Sequence, residues 1–280
     1  MRVSVIVSTY NRPRALDRVL HGLAEQRLPA AEVLVADDGS TDDTRTLVQG
    51  WAARFPLPLR HVWHPDTGFR LAAIRNRAAA VAHGDWLQFI DGDCVPRPSF
   101  VARVARLAAP GWALAGDRIL LSQALTERIE RDALPVHRWG GARWLRERVG
   151  GGINRLAPLL HWPFAAGRGA RRDDWRHLRG ASIGIARADF ERVNGFEEAF
   201  VGWGLEDSEF AIRLLNAGVR IRSGRLALAL LHLWHAERPR DEVERNRRLL
   251  EEARASGRVR AVSGLAQGSG RVQESAGVHP

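Results

Sequence analysis

Val3-Ser4-Val5-Ile6-Val7-Ser8-Thr9-Tyr10-Asn11-Arg12 stands at the head of the chain and runs directly into Pro13-Arg14-Ala15-Leu16-Asp17-Arg18-Val19-Leu20. The first part, from Val3 to Ser8, is a short, apolar, β-branched run and reads as a strand. From Pro13 to Gln26, Ala15, Leu16, Val19, Leu20 and Leu23 recur at helical spacing and form one stripe. The same alternation continues outward. Strands are expected over 32–36, 59–63 and 86–90. Helices are expected from Asp42 to about Trp51, capped by Thr41 or Asp42, and over 71–82 and 98–107. Strand–helix alternation of this kind predicts a mostly parallel α/β sheet covered on both faces. Such sheets bind ligands beyond the carboxyl ends of their strands. Thr9-Tyr10-Asn11, Asp37-Asp38-Gly39-Ser40 and Asp91-Gly92-Asp93 all fall there.

Residues 118–179 break the rhythm. They carry 13 arginines against 6 acidic residues, four tryptophans (Trp139, Trp144, Trp162, Trp175) and the run Gly150-Gly151-Gly152. An insertion with one or two helices is expected. The pattern resumes with a strand over 181–185 and a short helix over 187–193. An amphipathic helix follows from Glu206 to Ala217, closed by Gly218 as a C′ glycine. An apolar stretch over 226–234 and a charged helix over 241–255 complete it. One domain over 1–255 is expected, with halves at 1–117 and 180–255. Gly/Ser-rich residues 256–280 read as a flexible tail.

The 280 residues include 42 basic and 32 acidic ones, a formal charge of +10, and every basic residue is arginine. With 45% apolar residues the chain can bury a core, which excludes global disorder. The single cysteine, Cys94, excludes an internal disulfide framework and a cysteine-based zinc site. No apolar run approaches the ~20 residues that span a bilayer, and the first residues are too soon polar for a secretory signal. A cytoplasmic setting is therefore expected. Arginine suits phosphate through its bidentate fork, so the positive balance is compatible with a nucleotide, an anionic membrane surface or a nucleic acid.

Asp91 and Asp93 flank Gly92 at a strand end, a spacing that can hold one hard divalent cation by oxygen; an Asp-Gly turn reads equally well. Asp37 can accept hydrogen bonds from a base or a ribose, or simply belong to a turn before a helix cap. Glu206-Asp207 open a helix after Gly202-Trp203-Gly204. Acids in a first turn suit the helix dipole, but an aromatic ring between two glycines beside a carboxylate also suits a sugar. A carboxylate there can act as general base. Arg75-Asn76-Arg77 could meet a diphosphate or lie on a solvated face. His232 and His235 could each be a neutral metal ligand or a packed side chain.

Taken together and in order, these blocks resemble glycosyltransferase family 2 enzymes of the GT-A (Rossmann-like nucleotide-diphospho-sugar transferase) fold. Val5–Arg12, Val35–Asp42 and Phe89–Asp93 carry that resemblance. Gly195-Phe196 and Gly202–Phe210 are similar to the acceptor half of bacterial chondroitin-polymerase-type domains and of animal β-1,4-galactosyltransferases. The resemblance covers about residues 1–117 and 180–240. It implies a metal-dependent, inverting transfer of a sugar, of hexosyltransferase type, from a nucleotide sugar to a glycan or glycolipid hydroxyl in surface polysaccharide or lipopolysaccharide synthesis. A UDP-sugar is favoured, with Mn²⁺ or Mg²⁺.

By the same resemblance Thr9, Tyr10, Arg12 and Asp37 line the donor pocket, with Arg75 and Asn76 matching a further donor-binding stretch. Asp91 and Asp93 match the D-x-D that grips metal and diphosphate. Asp207 matches the base. Glu206 lies beside it, with Trp203 and Gly204 on the acceptor side. His235 matches a late metal-binding histidine, and His232 competes for that role. The Arg/Trp-rich insertion falls where the acceptor approaches and could meet an anionic membrane on the inner face of the cytoplasmic membrane, or could be a small local core. A nucleotidyltransferase would need a Gly-rich, Lys-containing phosphate loop, which Ser8-Thr9-Tyr10-Asn11 is not. A non-catalytic module binding an anionic surface would have no use for Asp91, Asp93 and Asp207 together. No nucleic-acid-binding module is recognisable.

Overall fold

The computed structural model describes residues 1–159, 174–237 and 240–268. The chain runs β1 (Val3–Thr9), α1 (Pro13–Ala24), β2 (Glu32–Asp37), α2 (Asp42–Ala52), β3 (Leu59–Trp63), α3 (Leu71–Val81), β4 (Trp86–Asp91), β5 (Cys94–Val95) and α4 (Phe100–Leu107). It continues with β6 (Trp112–Ala115), β7 (Asp117–Leu120), α5 (Gln123–Arg131), α6 (Gly141–Val149), β8 (Ser182–Ala186), α7 (Arg187–Arg192), α8 (Glu206–Asn216), β9 (Arg220–Ser223), β10 (Ala229–His232), α9 (Val243–Ser256) and α10 (Leu265–Gly268).

Seven strands form the main sheet in the order β3-β2-β1-β4-β8-β6-β9. Only β8 runs antiparallel to its neighbours. Both faces are buried, and period-two alternation sorts the side chains between them. Val5, Val7, Val33, Val35, Trp86 and Ile90 face the core under α1, α2 and α4. Ile6, Leu34, Ala36, Leu87 and Phe89 face the core under α3, α7 and α8. On the second face Phe89, Phe190, Phe196 and Phe210 pack with ring centroids 4.4–5.7 Å apart, which fixes α7 and α8 against β4.

The chain order reverses at β1, which lies between β2 and β4. Register pairs Thr9 with Asp37 and Ser8 with Asp91, so three expected site residues stand side by side at the carboxyl ends. A crevice at that point is where such sheets bind ligands. A second sheet, β5-β10-β7, brings His232 opposite Cys94.

Among its described residues the insertion holds two α-helices, α5 and α6, as expected, and they join the main core. Leu125, Ile129, Val136, Trp144 and Ile153 are buried in it. The Trp144 ring lies 5.2 Å from that of Trp139, to whose carbonyl its indole N–H donates. These two tryptophans thus pack in and against the main core rather than in a separate small one; Trp162 lies outside the described residues. Among the described residues, no helix is long and apolar enough to cross a membrane.

The stretch expected as a tail behaves differently up to Ala266. Ala261 is buried, and its N–H donates to the Val193 carbonyl. The N–H groups of Val262 and Ser263 donate to the Glu197 carboxylate, and that of Leu265 to the Asn194 carbonyl. Hydrogen bonds from its backbone to Asn194 and Glu197 hold it there, with Val259 and Leu265 packed against the second core; a Gly/Ser-rich composition does not reveal this. Strands β6 and β9 have four residues each and are too short for periodicity to announce.

Trp144→Ala should cost about 3–5 kcal/mol, the range for emptying a buried tryptophan site. Urea unfolding followed at the main core measures this. An unchanged midpoint would mean that the insertion folds separately.

Candidate active site

Arg75 is fully buried on α3 and joins the two halves of the crevice. Its Nη2 donates to Asp91 Oδ1 at 2.8 Å and to the Gly180 carbonyl at 2.9 Å, and its Nε to Ser8 Oγ at 3.1 Å. Its Nη1 lies 3.9 Å from Glu206 Oε1 and has no hydrogen-bond partner. The Gly180 N–H in turn donates to Asp207 Oδ2 at 2.7 Å. Asp91, Arg75, Gly180, Glu206 and Asp207 therefore form one connected group. Gly180, which no sequence motif singles out, is its hinge.

Gly92 has a steric reason. A Cβ there would come within 2.8 Å of the Ser8 carbonyl, so β1 leaves no room for a side chain between the two acids. Asp93 sits at a second convergence. His232 Nε2 lies 3.6 Å from its Oδ1, and His235 Nε2 lies 3.6 Å from its Oδ2. Ligand atoms of Asp93, Cys94 and His232 all lie within 4.8 Å of one another. Burial lowers the pKa of His232, which keeps its imidazole neutral. His235 Nδ1 lies 2.8 Å from the Ala236 carbonyl; donation there leaves Nε2 as the lone-pair nitrogen. Burial and the neighbouring Asp93 and Asp91 charges push the Cys94 thiol up, so it stays protonated and is no thiolate ligand. A carboxylate oxygen with one or two imidazole nitrogens can hold a divalent cation, and such a mixed set suits Mn²⁺ better than the harder Mg²⁺. Asp91 stands apart from this set, with Oδ1 bound by Arg75; burial raises its pKa, while the Arg75 charge opposes the rise.

Arg12 turns its guanidinium toward Asp93. It reaches across to Asp93 Oδ2 at 2.9 Å, Glu130 Oε1 at 3.2 Å and the Trp234 carbonyl at 3.1 Å. Asp37 is buried and fully engaged, taking the Ser40 N–H on Oδ1 at 2.8 Å and lying 2.9 Å from His61 Nε2 through Oδ2. Tyr10 donates to Asp66 at 2.8 Å. Thr9 Oγ1 is buried without a partner. Asn76 is drawn away from the crevice. Its amide donates to the Phe196 carbonyl and Glu198 and its oxygen accepts from the Phe196 N–H, so it brackets the Gly195-Phe196 turn.

The turn before α8 is unusual. Gly202, Gly204 and Leu205 have φ of +77°, +95° and +76°. Leu205 is not a glycine, and holding it there costs about 1–3 kcal/mol. Asn246 of α9, fully buried, steadies the turn by donating to the carbonyls of Val201 and Gly204 at 3.0 and 3.1 Å. A Cβ at Gly202 would meet Glu242 at 2.8 Å, so α9 packs directly on the turn. Nothing in the charged pattern of α9 singles out Asn246. Trp203 is exposed, with the Arg240 guanidinium 4.7 Å from its ring centre.

Glu206 is pushed up to about 7, first by burial and then by the Asp207 charge, with Arg75 opposing. Asp207 is half-buried, and its Oδ1 accepts from Ser208 Oγ. The arrangement offers one carboxylate beside a second that is easily protonated, facing a carboxylate–arginine pair across Gly180.

The fold is that of a GT-A transferase. A model of glycosyl transferase family 2 matches residues 4–174, and one of the N-terminal domain of galactosyltransferase matches residues 167–236. The chain belongs to glycosyl transferase family 2. It is 32% identical over 86% of its length to 56% of a validoxylamine A glucosyltransferase of Streptomyces hygroscopicus. It is 27% identical over 88% of its length to 36% of a chondroitin synthase of Escherichia coli. The chain thus spans about half or less of the length of these curated relatives. Among solved structures, the mannosyltransferase PcManGT of Pyrobaculum calidifontis, in complex with GDP-Man and Mn²⁺, aligns with a TM-score of 0.54 at 22% identity, covering 96% of this chain and 73% of that one.

Between about pH 4.5 and 7 the folded chain holds a proton on Glu206 that the unfolded chain has released, so stability falls as pH rises through this window. Glu206→Gln should remove that decline and be more stable than wild type at pH 7.5, by up to about 3 kcal/mol. Urea midpoints at pH 5 and 7.5 test it; a decline that persists unchanged in the variant assigns it to another group.

Proposed function

We propose that this chain is a metal-dependent, inverting glycosyltransferase that moves a sugar from a nucleotide sugar, with UDP favoured, to a hydroxyl of a glycan or glycolipid in surface polysaccharide assembly. The observation that carries the reading is the buried Arg75 Nη1, a donor without an acceptor, set between Asp91 on the donor side and Glu206 on the acceptor side. A buried guanidinium N–H with no partner calls for a ligand oxygen. The unpartnered Thr9 Oγ1 at the end of β1 supports a donor in the same crevice.

Asp93 with His232 or His235 would hold the divalent ion, with Asp91 held apart by Arg75. When bound, such an ion offsets charge on a departing diphosphate. The family, and the Mn²⁺ in the mannosyltransferase of similar fold, support this choice. Arg75 Nη1 supplies a positive hydrogen-bond donor toward the phosphate or sugar oxygens. Asp207, oriented by the Gly180 N–H, takes the proton of the acceptor hydroxyl as its oxygen bonds to the anomeric carbon and the bond to the diphosphate breaks. Attack opposite the leaving group inverts that centre, and no carboxylate forms a covalent intermediate. Glu206, protonated near neutrality, can hydrogen-bond sugar hydroxyls, with the Trp203 face beside it.

Calorimetry with UDP, GDP and dTDP, each with and without Mn²⁺, tests the donor half. One nucleotide should bind in a Mn²⁺-dependent way and lose at least tenfold in affinity in the Asp91→Ala/Asp93→Ala double variant. Folded wild-type protein that binds none of the three would sink the reading. Asp207→Asn should retain that nucleotide while losing about 10²–10⁴-fold in transfer rate, the span of general-base catalysis.

A further inference from the structure

At the end of α1 remote from Arg12, the loop after β5 and the start of α4 enclose a groove of about 430 Å³ lined by Arg27, Arg97, Pro98, Ser99 and Arg103. No carboxylate lines it among the described residues. Elsewhere on the chain arginines meet acids at close range, as Arg60 does with Glu32, Arg128 with Glu147 and Arg155 with Asp117. Arg27 and Arg103 have no carboxylate partner among the described residues. We propose that this groove is a binding site for a phosphate group, separate from the catalytic crevice.

The groove is built, not incidental. Gln26 ties its three walls together: the amide donates to the Gly22 and Arg97 carbonyls, and its oxygen accepts from the Val101 N–H. The Arg27 N–H donates to the Pro98 carbonyl at 2.7 Å. The Arg103 guanidinium is anchored through Nη1 to the Ala227 carbonyl at 3.2 Å, which orients it without neutralising it. Ser99 holds the N-cap position of α4, yet its hydroxyl makes no capping bond and is available to a ligand. Two guanidiniums without a carboxylate partner, Arg27 and Arg103, and the Ser99 hydroxyl match the acceptor oxygens and the charge of a phosphate; Arg97 adds positive charge, but its Nη1 is committed to the Leu159 carbonyl at 3.2 Å. Burial, and then the charges of Arg97, Arg106 and Arg27, lower Arg103 to about 10, a cost that a bound anion offsets.

The donor diphosphate is not this ligand. Arg12 marks the crevice end of α1, and the twelve residues of the helix carry its other end about 18 Å away. The phosphate can come from a lipid headgroup or from a soluble phosphate compound, and two arms separate these sources. In the first, full-length protein is titrated with inorganic phosphate and pyrophosphate at constant ionic strength, read by calorimetry. In the second, it is sedimented with phosphatidylcholine vesicles with or without 30 mol% (~30%) phosphatidylglycerol. Wild type should bind in at least one arm, and Arg27→Gln/Arg103→Gln should weaken that binding at least tenfold.

Binding to phosphate alone assigns a soluble source. Binding to phosphatidylglycerol vesicles, lost in the variant, assigns a headgroup. Arg27→Gln alone, at an exposed position, serves if the double variant fails to fold. Arg146→Gln/Arg148→Gln removes two exposed charges elsewhere and should leave binding unchanged. Equal losses in both double variants, no loss in either, or no binding by wild type in either arm would overturn the proposal. Mn²⁺-dependent nucleotide binding, measured in parallel, should be the same in all variants.

Discussion

The site depends on one buried charge. Removing an arginine from water costs several kcal/mol unless the geometry around it is nearly complete. Arg75 meets that condition with Asp91, Ser8, the Gly180 carbonyl and the Phe196 ring 5.5 Å away. Each partner comes from a different stretch: β1, β4, the loop before β8 and the turn after α7. The guanidinium thus fixes how the nucleotide-sugar half meets the later half. Removing it would leave the half-buried Asp91 without its counter-charge and Glu206 without the nearest opposing positive charge. Glu206 would then be harder still to ionise, since burial and Asp207 already raise its pKa.

Polar brackets do the remaining alignment. Asn76, next to Arg75 in sequence, turns its amide to both backbone groups of Phe196 and so sets the position of the aromatic cluster under α8. Asn246 does the same for the turn that presents Trp203, and Gly180 for Asp207. An amide that bonds backbone on two sides holds a loop at a definite height without adding charge. This explains how Leu205 stays at positive φ: α9 packs on the turn through Glu242 at Gly202, and α8 begins immediately after it.

Much of the fold was legible because its strands are long, apolar and β-branched, and its helices carry clear stripes. Val3–Thr9, Leu59–Trp63 and Leu71–Val81 emerge within a residue or two of where periodicity puts them. The carboxylates at strand ends were legible for the same reason, since a strand end is visible in sequence. Contacts made by side chains across the fold were not. Nothing local distinguishes Arg75, which is buried, from Arg77 two residues on, and nothing suggests that Arg12 reaches Asp93 while Asp37 spends its oxygens on Ser40 and His61. Asn246 and the docked stretch up to Ala266 escaped because their role is to bond backbone, which leaves no periodic trace.

Asp93 has two distinct sides, and this bears on which histidine serves a cation. Oδ1 faces His232 and the protonated Cys94, while Oδ2 faces His235 and is already bound by Arg12. A cation shared by Oδ1 and His232 leaves Arg12 in place. One shared by Oδ2 and His235 must take the oxygen from Arg12, at the cost of a charge-assisted hydrogen bond worth about 1–3 kcal/mol. That exchange strands no charge, because Arg12 keeps Glu130 and the Trp234 carbonyl. Glu130 belongs to the insertion and Trp234 adjoins His235, so the segment that interrupts the α/β rhythm supplies the counter-ion that makes an exchange at Asp93 inexpensive. Composition alone shows the insertion as an excess of arginine; its acid at 130 is what couples it to the centre.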